Sequence, residues 1–459
     1  MSARNRELLG LIPASLLVTA GFAAVFIERG SLSQNQLSEA SLTYGAIFLG
    51  LCLAAHVFLR IALPHADPYL FPLVAVLACF GLVMVYRIDD TLARQQAQWF
   101  VVGLLLFMAT IVFLRDYRKL EQYRYLIAAG SLALLCLPRL PGIGAQVNGA
   151  YLGIRIPGVM IFQPTEFAKL GIVVFLASYL RDTRQVLVIG ARRVLGVTIP
   201  PLKHFGPLLV IWGMAMLLLV VIRDLGSSLM FFGAFLALLY VATNRLSFVV
   251  IGLLLFAVGG WYLGTHVPHV MDRVDVWMDP LNPQRYPSEG FQIANSLFAQ
   301  ADGGLFGRGF GGAMLTTPFD KPLLPAAQTD LVYALIVNEV GLAGALAVLA
   351  TYLLFVQRGF KVALLARDSF STLLAVGLSA VFALQVFVIV GGVTNVIPLT
   401  GVTLPFISYG GSSILANFVL LALLLLVSDR ARRPDERGAK ALASPRAGAR
   451  RARTRSALR

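Results

Sequence analysis

Residues 161 to 180 read IFQPTEFAKLGIVVFLASYL. Beyond Pro164 the run is apolar enough to lie in a bilayer, yet it carries Glu166 and Lys169. Three residues apart on a helix, the two side chains share a face and each neutralises the other. Ionisable groups at that depth are kept only where they face a bundle interior or a wet cavity. The segment therefore predicts a buried transmembrane helix with neighbours all round. Two readings of the pair stay open: a structural lock between helices, or a cavity wall for an anionic substrate formed by Lys169 or by the pair.

The rest of the chain supplies the neighbours. Of 459 residues, 58% are hydrophobic and 13% charged, and the mean hydropathy is +0.78. Soluble domains carry about a quarter charged residues, so a soluble enzyme is excluded. Apolar runs predict twelve helices near residues 8–27, 42–63, 69–86, 99–114, 125–138, 158–180, 206–222, 226–243, 247–265, 331–356, 372–394 and 410–428. The fold class is an all-α polytopic membrane bundle. With the N-terminus inside, 27 of the 38 Lys and Arg fall in cytoplasmic segments and 10 outside. This bias places both termini in the cytoplasm of a multi-pass protein of the cytoplasmic membrane. The first run follows Arg4 and Arg6 but is too long for a cleaved signal, so it reads as a retained span.

Net charge is +15, and residues 429–459 hold much of it, with 11 basic against 3 acidic side chains. Such a tail reads as disordered and attracted to anionic membrane lipids, with no nucleic acid implied. Cys52, Cys79 and Cys136 are isolated, which supports neither disulfides nor zinc. His266 and His269 flank Pro268 without the further ligands a metal needs, so no metal site is assigned.

Two outside connections stand apart. Residues 139–157 are rich in Gly and Pro. Residues 266–330 hold seven of the 23 acids, among them Asp272, Asp279, Glu289 and Asp330. A loop that long is functional or disordered, and its aromatic residues argue for order. Gly290 to Gln300 is patterned as a short helix lying on the membrane. The run GGLFGRGFGG, Gly303 to Gly312, lacks the strand and helix context of a phosphate cradle. It suits loop flexibility or close backbone approach to a substrate. Arg223 and Asp224 mark a tight outer turn. Residues 393–418, VTNVIPLTGVTLPFISYGGSSILANF, read as a re-entrant segment, which survives at membrane depth only where protein or water satisfies its backbone.

Taken in order, NGAYLGIRIPGVMIFQPTEFAKL, RDLGSSL, GFQIANSLFAQADGGLFGRGFG, LPAAQTDLVYALIVNEVGLAG and IPLTGVTLPFISYGGSS resemble the SEDS family of shape, elongation, division and sporulation proteins. RodA and FtsW are members, and two extra N-terminal spans with a basic tail look like the RodA type of high-GC Gram-positive bacteria. The resemblance implies a ten-helix core over residues 69–428, preceded by two helices within 1–68 and followed by the tail. It also implies a peptidoglycan glycosyltransferase that polymerises lipid II outside the cytoplasmic membrane with a class B penicillin-binding protein. A divalent cation bound with the substrate diphosphate is the one cofactor this chemistry invites.

Relatives place a catalytic Asp-Pro shortly before Gly-Tyr-Gln, whereas here VDVWMDPLNPQRYPSEGFQ has Asn282-Pro283 or Tyr286-Pro287 there. Asp279, in an earlier Asp-Pro, is the expected base and Glu289 the second choice. Glu166 and Lys169 match the family's intramembrane pair, and Asp330 and Glu339 its acids at the start of the tenth span. For Asp330, structural and catalytic roles stay open. Ser408, Tyr409, Gly410, Gly411 and Ser412 match a family signature expected to shape the groove. With Arg223, these residues are the expected substrate-binding or cavity set. A lipid II flippase and a non-catalytic scaffold for the penicillin-binding protein are the rival readings. No internal repeat of the transporter kind supports the first.

Overall fold

The computed structural model describes residues 3–29, 34–147, 150–156, 160–189, 192–194, 197–199, 202–286, 288, 290–316 and 322–434. The basic tail beyond Pro434 lies outside the described residues. Fourteen α-helices are present among them: α1 Ala3–Arg29, α2 Gln34–Ala62, α3 Leu70–Ile88, α4 Asp90–Phe113, α5 Arg124–Cys136, α6 Thr165–Ile189, α7 Leu202–Ile222, α8 Leu225–Thr243, α9 Leu246–His266, α10 Pro268–Met278, α11 Phe291–Gly303, α12 Val332–Leu365, α13 Ser369–Val393 and α14 Gly411–Arg432. Each of the twelve expected spans has its helix. Among the described residues nine of these are long and apolar enough to cross a membrane, namely α1 to α4, α8, α9 and α12 to α14. Of the other three, α5 is only 13 residues long and α6 carries Glu166 and Lys169. In α7 the apolar stretch is Gly206–Leu218.

The outside connections are more structured than their composition announces. Within residues 139–157 and just beyond, β1 Gly144–Val147, β2 Ala150–Ile156 and β3 Met160–Phe162 form an antiparallel sheet in the order β1-β2-β3. Strand β3 takes the residues expected to open the sixth span, so α6 starts at Thr165, just after Pro164. A second small pair joins β4 Arg192–Val194 to β5 Val197–Ile199. In the large loop the expected short helix is α11, and α10 comes in addition, started by Pro268 at its first turn. Proline suits that position because its missing N–H would have had no helical partner.

Aspartates set three helix starts by accepting otherwise orphaned N–H groups. Asp89 caps α4 through Thr91 N and Leu92 N (2.7 and 2.9 Å), Asp224 caps α8 through Ser227 N (2.9 Å), and Asp368 caps α13 through Ser371 N (2.9 Å). Helix α13 runs through the centre, packed on α6, α8 and α12, and α14 is buried against α4, α12 and α6. Lipid supplies no hydrophobic drive between helices, so close approach of small residues has to hold them together. A Cβ on Gly81 of α3 would stand 2.5 Å from Ile407 Cα, and so α3 lies directly on the segment between α13 and α14.

Both ends of the described chain meet on one face. Fully buried Asp67 accepts from Tyr69 N (2.9 Å) and pairs with Arg432 and Arg358, and Arg4 donates to Ala66 O (2.5 Å). Glu7 of α1 accepts from Arg4 and is joined to His56 of α2 at 2.8 Å. Removing one partner of such a buried pair strands the other, so this cluster fixes α1 and α2 to the remaining helices.

Candidate active site and its lipid-facing groove

At the opposite face, α10 presents His269, Asp272, Arg273, Val276 and Trp277 to a cavity of about 570 Å³. Those positions follow i, i+3, i+4, i+7 and i+8, a single helical stripe. Trp277 Nε1 donates to Asn395 O (3.0 Å) and Asn395 Nδ2 returns a bond to Trp277 O (3.2 Å), which pins the end of α10 to the turn after α13. The remaining walls are Glu166 from α6, Arg223 and Asp224 from the α7–α8 turn, Asp330 before α12, and Thr400, Gly401 and Thr403 from the irregular segment. That segment leaves helical geometry where Gly401 takes φ +71°, a left-handed conformation that glycine adopts without strain.

Four carboxylates, the guanidinium groups of Arg223 and Arg273 and the imidazole of His269 thus share one cavity. Burial pushes the Asp330 carboxyl up to about 6, against a Thr329 hydrogen bond and the nearby Arg273, both of which pull it down. Burial also raises Asp224, opposed by its bonds to Ser227, and lowers both Arg273 and His269. The buried atoms His269 Nε2, Thr400 Oγ1 and Thr403 Oγ1 have no hydrogen-bond partner among the described residues. Buried polar groups are nearly always paired, so three unpaired ones on one cavity's walls mark a surface suited to a polar ligand. Among the described residues no three His, Cys, Asp or Glu side chains converge to hold a metal ion by themselves.

Beside this polar chamber lies an apolar groove of about 1150 Å³, walled by α7, α8 and α9. Trp212, Phe232, Phe235 and Phe256 line it, and Gly252, Gly259 and Gly260 give it width. Arg273, Trp277, Leu399 and Thr400 border both spaces. A cation whose side chain donates to Leu399 O (3.3 Å) therefore stands where charged and hydrocarbon environments meet.

The Cell cycle protein family FTSW_RODA_SPOVE matches residues 68–433. The chain belongs to this family. It is 40% identical to the peptidoglycan glycosyltransferase RodA of Mycobacterium tuberculosis over 94% of this chain and 92% of that one. The probable peptidoglycan glycosyltransferase FtsW of Geobacter metallireducens is 33% identical over 79% and 95%. Among solved structures, a chain from a peptidoglycan synthase complex that coordinates polymerization and crosslinking superposes with a TM-score of 0.64 at 27% identity, covering 81% of this chain and 99% of its own. The rod shape determining protein RodA of Thermus thermophilus gives 0.57 at 25%, covering 81% and 98%.

Within this family frame the expected residues separate by position. Glu166, Arg223 and Asp330 line the cavity. Lys169 lies behind the wall, 2% exposed, with Nζ at 2.5 Å from Glu166 Oε2 and 2.7 Å from Gln385 Oε1. Gln385 Nε2 in turn donates to Thr403 O (2.9 Å), so the chain of contacts orients Glu166 and the irregular segment together. Asp279, the expected base, does not line the cavity. Helix α10 ends at Met278, and at φ −144°, ψ 77° the backbone leaves the helix just where Asp279 would have extended the stripe. Its carboxylate is exposed and accepts from Asn282 Nδ2 (3.2 Å). Glu289 lies outside the described residues.

Glu339 is also away from the cavity, buried in α12, where it accepts from Arg87 Nε (3.1 Å). Arg87 also donates to Gly311 O and to Ala313 O (2.9 Å). The glycine run suits flexibility or approach to a substrate by composition, but its close approach is to α12. Gly309 N donates to Glu339 O (2.9 Å) and Leu342 N to Gly304 O (3.0 Å), across a break in α12 at Gly341. Ser408 donates to Thr329 O (2.6 Å), Tyr409 N to Gln328 O (2.8 Å), and Ser412 Oγ accepts from Gln163 N (2.9 Å). Gly410 and Gly411 lie at the start of α14, where a Cβ on Gly411 would stand 2.8 Å from the Trp99 ring. None of these five signature residues lines the cavity; the bonded ones hold its walls from behind.

Asp272 and Arg273 are the cavity residues that sequence reasoning misses as ligands. Their signal is the helical spacing of polar groups in PHVMDRVDVWM, hidden inside a segment whose length and acid content read as loop.

Proposed function

We propose that the chain is a peptidoglycan glycosyltransferase that polymerises lipid II, with Asp330 as the proton acceptor. The observation that carries this reading is the shared border of a charged chamber and a lipid-sized groove at Arg273. The prenyl tail fits the groove, the diphosphate meets Arg273 with Arg223 close by, and the sugars occupy the chamber. In the transfer, the acceptor's 4-hydroxyl gives its proton to a carboxylate as its oxygen attacks the donor's anomeric carbon. The bond from that carbon to the diphosphate oxygen breaks with inversion, and the leaving charge stays beside the guanidinium groups.

Among the chamber acids, Glu166 is neutralised by Lys169 and Asp224 is spent on capping α8. Asp330, with its carboxyl near 6, is ionised at neutral pH yet still basic enough to take a proton, the balance that general-base catalysis favours. Asp272, the remaining acid of the chamber, is exposed. A divalent cation carried in with the diphosphate would be shared with these carboxylates, and no step here depends on it. The protein is a multi-pass membrane protein; we place the chamber outside the cytoplasmic membrane and both termini inside, from the distribution of Lys and Arg. A class B penicillin-binding protein is the partner supported by the relatives' assignment to peptidoglycan synthesis.

The test is purified protein, with and without that partner, incubated with lipid II and read by glycan length. Polymer made by the wild type and lost in Asp330→Asn supports the reading. Transbilayer movement of lipid II without polymer would transfer the assignment to a flippase, and no product from any preparation would leave a scaffold.

A further inference from the structure

The three unpaired polar atoms on the chamber walls fall in two places. Thr403 sits past Gly401, where Gln385 Nε2 donates to its carbonyl (2.9 Å) and Asp330 Oδ2 lies 3.7 Å from the position a Cβ on Gly401 would take. His269 and Thr400 instead flank Arg273. His269 precedes it by one helical turn on the stripe of α10, and Thr400 follows Leu399, whose carbonyl accepts from Arg273 Nη1 (3.3 Å). Thr400 and Arg273 border both the chamber and the apolar groove, whereas His269 lines the chamber alone. The three residues therefore step from the groove's mouth into the chamber.

Around Arg273 the side chains offer donors that have no acceptor. Arg273 makes its one side-chain hydrogen bond among the described residues to the neutral carbonyl of Leu399. At the α7–α8 turn, Arg223 makes neither a side-chain hydrogen bond nor an ion pair among the described residues, and its backbone is held at φ +69°. A left-handed conformation strains a non-glycine residue, and such strain persists where the surroundings impose it, often at a ligand site. Burial, together with Arg223 and Arg273, holds the His269 imidazole below the usual histidine range, against an opposite pull from Asp272, so the ring is neutral near pH 7. A neutral imidazole carries its single N–H hydrogen on either nitrogen, and the partner decides which. Beside two guanidinium groups the fitting partner is an anion, which selects the tautomer with hydrogen on Nε2. The Thr400 hydroxyl rotates to donate in the same way. Each phosphate oxygen accepts more than one hydrogen bond, so a diphosphate held by two arginine forks still has free acceptor sites, and these neutral donors fill them without adding charge.

We propose that Thr400 and His269 are diphosphate ligands, Thr400 Oγ1 donating to the phosphoryl group next to the prenyl chain and His269 Nε2 to the one that carries the sugar. The inference rests on the reading of the groove as the seat of a prenyl diphosphate, and it adds the residue that tells a diphosphate from a monophosphate, because only the outer phosphoryl group reaches His269.

The test is binding of geranylgeranyl diphosphate and geranylgeranyl monophosphate to the full-length protein in detergent, measured by isothermal titration calorimetry. Neither probe carries a sugar, so the result does not depend on polymerisation. Thr400→Val is expected to weaken both probes by about tenfold or more, the cost of a lost hydrogen bond to a charged group. His269→Phe is expected to weaken the diphosphate by about the same factor and to leave the monophosphate unchanged. His269→Gln, whose amide nitrogen reaches the place of Nε2, is expected to restore most of the diphosphate affinity. Without ligand, Thr400→Val and His269→Phe should melt at or above the wild-type temperature, because each removes a buried polar atom that has no partner among the described residues. Unchanged diphosphate affinity in either variant, an equal loss of both probes in His269→Phe, no recovery in His269→Gln, or weaker binding that comes with a lower melting temperature overturns the proposal. A wild type that makes polymer from lipid II yet binds neither probe also overturns it and leaves the glycosyltransferase reading standing. A wild type that makes no polymer but shows the expected pattern of affinities supports the subsite and removes the reaction.

Discussion

Replacing Asp330 by Asn separates the cost of burying a charge from its use. Its carboxyl titrates near 6 in the fold, against 3.8 for an ordinary aspartate. At about 1.4 kcal/mol per pH unit, that gap corresponds to ~3 kcal/mol. The sign follows from proton binding. Below about pH 4 both folded and unfolded chains hold the proton and nothing is lost. Between about 4 and 6 the unfolded carboxyl ionises first, so the wild type loses stability as pH rises, and above about 6 the loss is complete. The amide of the Asp330→Asn variant is neutral throughout. The variant is therefore expected to match wild type near pH 4 and to be more stable by up to ~3 kcal/mol at pH 8, while losing about 10² to 10⁴ in polymerisation rate. Wild-type polymerisation itself should fall as pH drops through about 6. Cys52 and Cys79 are buried and provide the assay, because a thiol-reactive dye reports their exposure on heating, with exposed Cys136 as the baseline. A variant less stable than wild type at pH 8, or an offset of the same size at pH 4 and pH 8, would refute the reasoning.

Asp279→Asn is expected to change the polymerisation rate by less than about tenfold, short of what loss of a base costs, and a larger fall in initial rate would return the role to that residue. Lys169→Met strands Glu166 inside the bundle and should cost about 3 to 5 kcal/mol in thermal unfolding, with much of it recovered when Glu166→Gln is added. Arg273→Gln is expected to raise KM for the lipid diphosphate by about tenfold or more through loss of charge-assisted bonds; steady-state kinetics on lipid II check it. At Gly259, a Cβ meets nothing within 4 Å. Gly259→Phe should fill the groove and raise KM without lowering the melting temperature, whereas unchanged kinetics would empty the groove of its assigned role.

The amphipathic stripe on α10 shows where sequence reasoning stops short. PHVMDRVDVWM carries its polar groups at helical spacing, but within a 65-residue acid-rich connection the Asp-Pro at 279 draws the assignment instead. A motif names a residue by its neighbours in sequence. Whether the residue reaches the reacting atoms depends on where the helix ends, and here it ends one residue too early for Asp279. The sheet over residues 144–162 is hidden for a similar reason: its strands are short and pair only with each other.

The order of residues alone dictates a membrane bundle, the places of its twelve long apolar segments, and the pairing of Glu166 with Lys169 inside it. Those conclusions follow from the bilayer, which leaves few ways to place an apolar run or a charge. Which carboxylates gather in one chamber is settled only in three dimensions. Asp224, Asp272 and Asp330 come from three separate stretches of chain, and Asp330 titrates near 6 because helices distant in sequence exclude water from it. The same holds for Arg273, whose position between a polar chamber and an apolar groove is a property of packing, since local spacing carries no information about what lies on the other side of a helix.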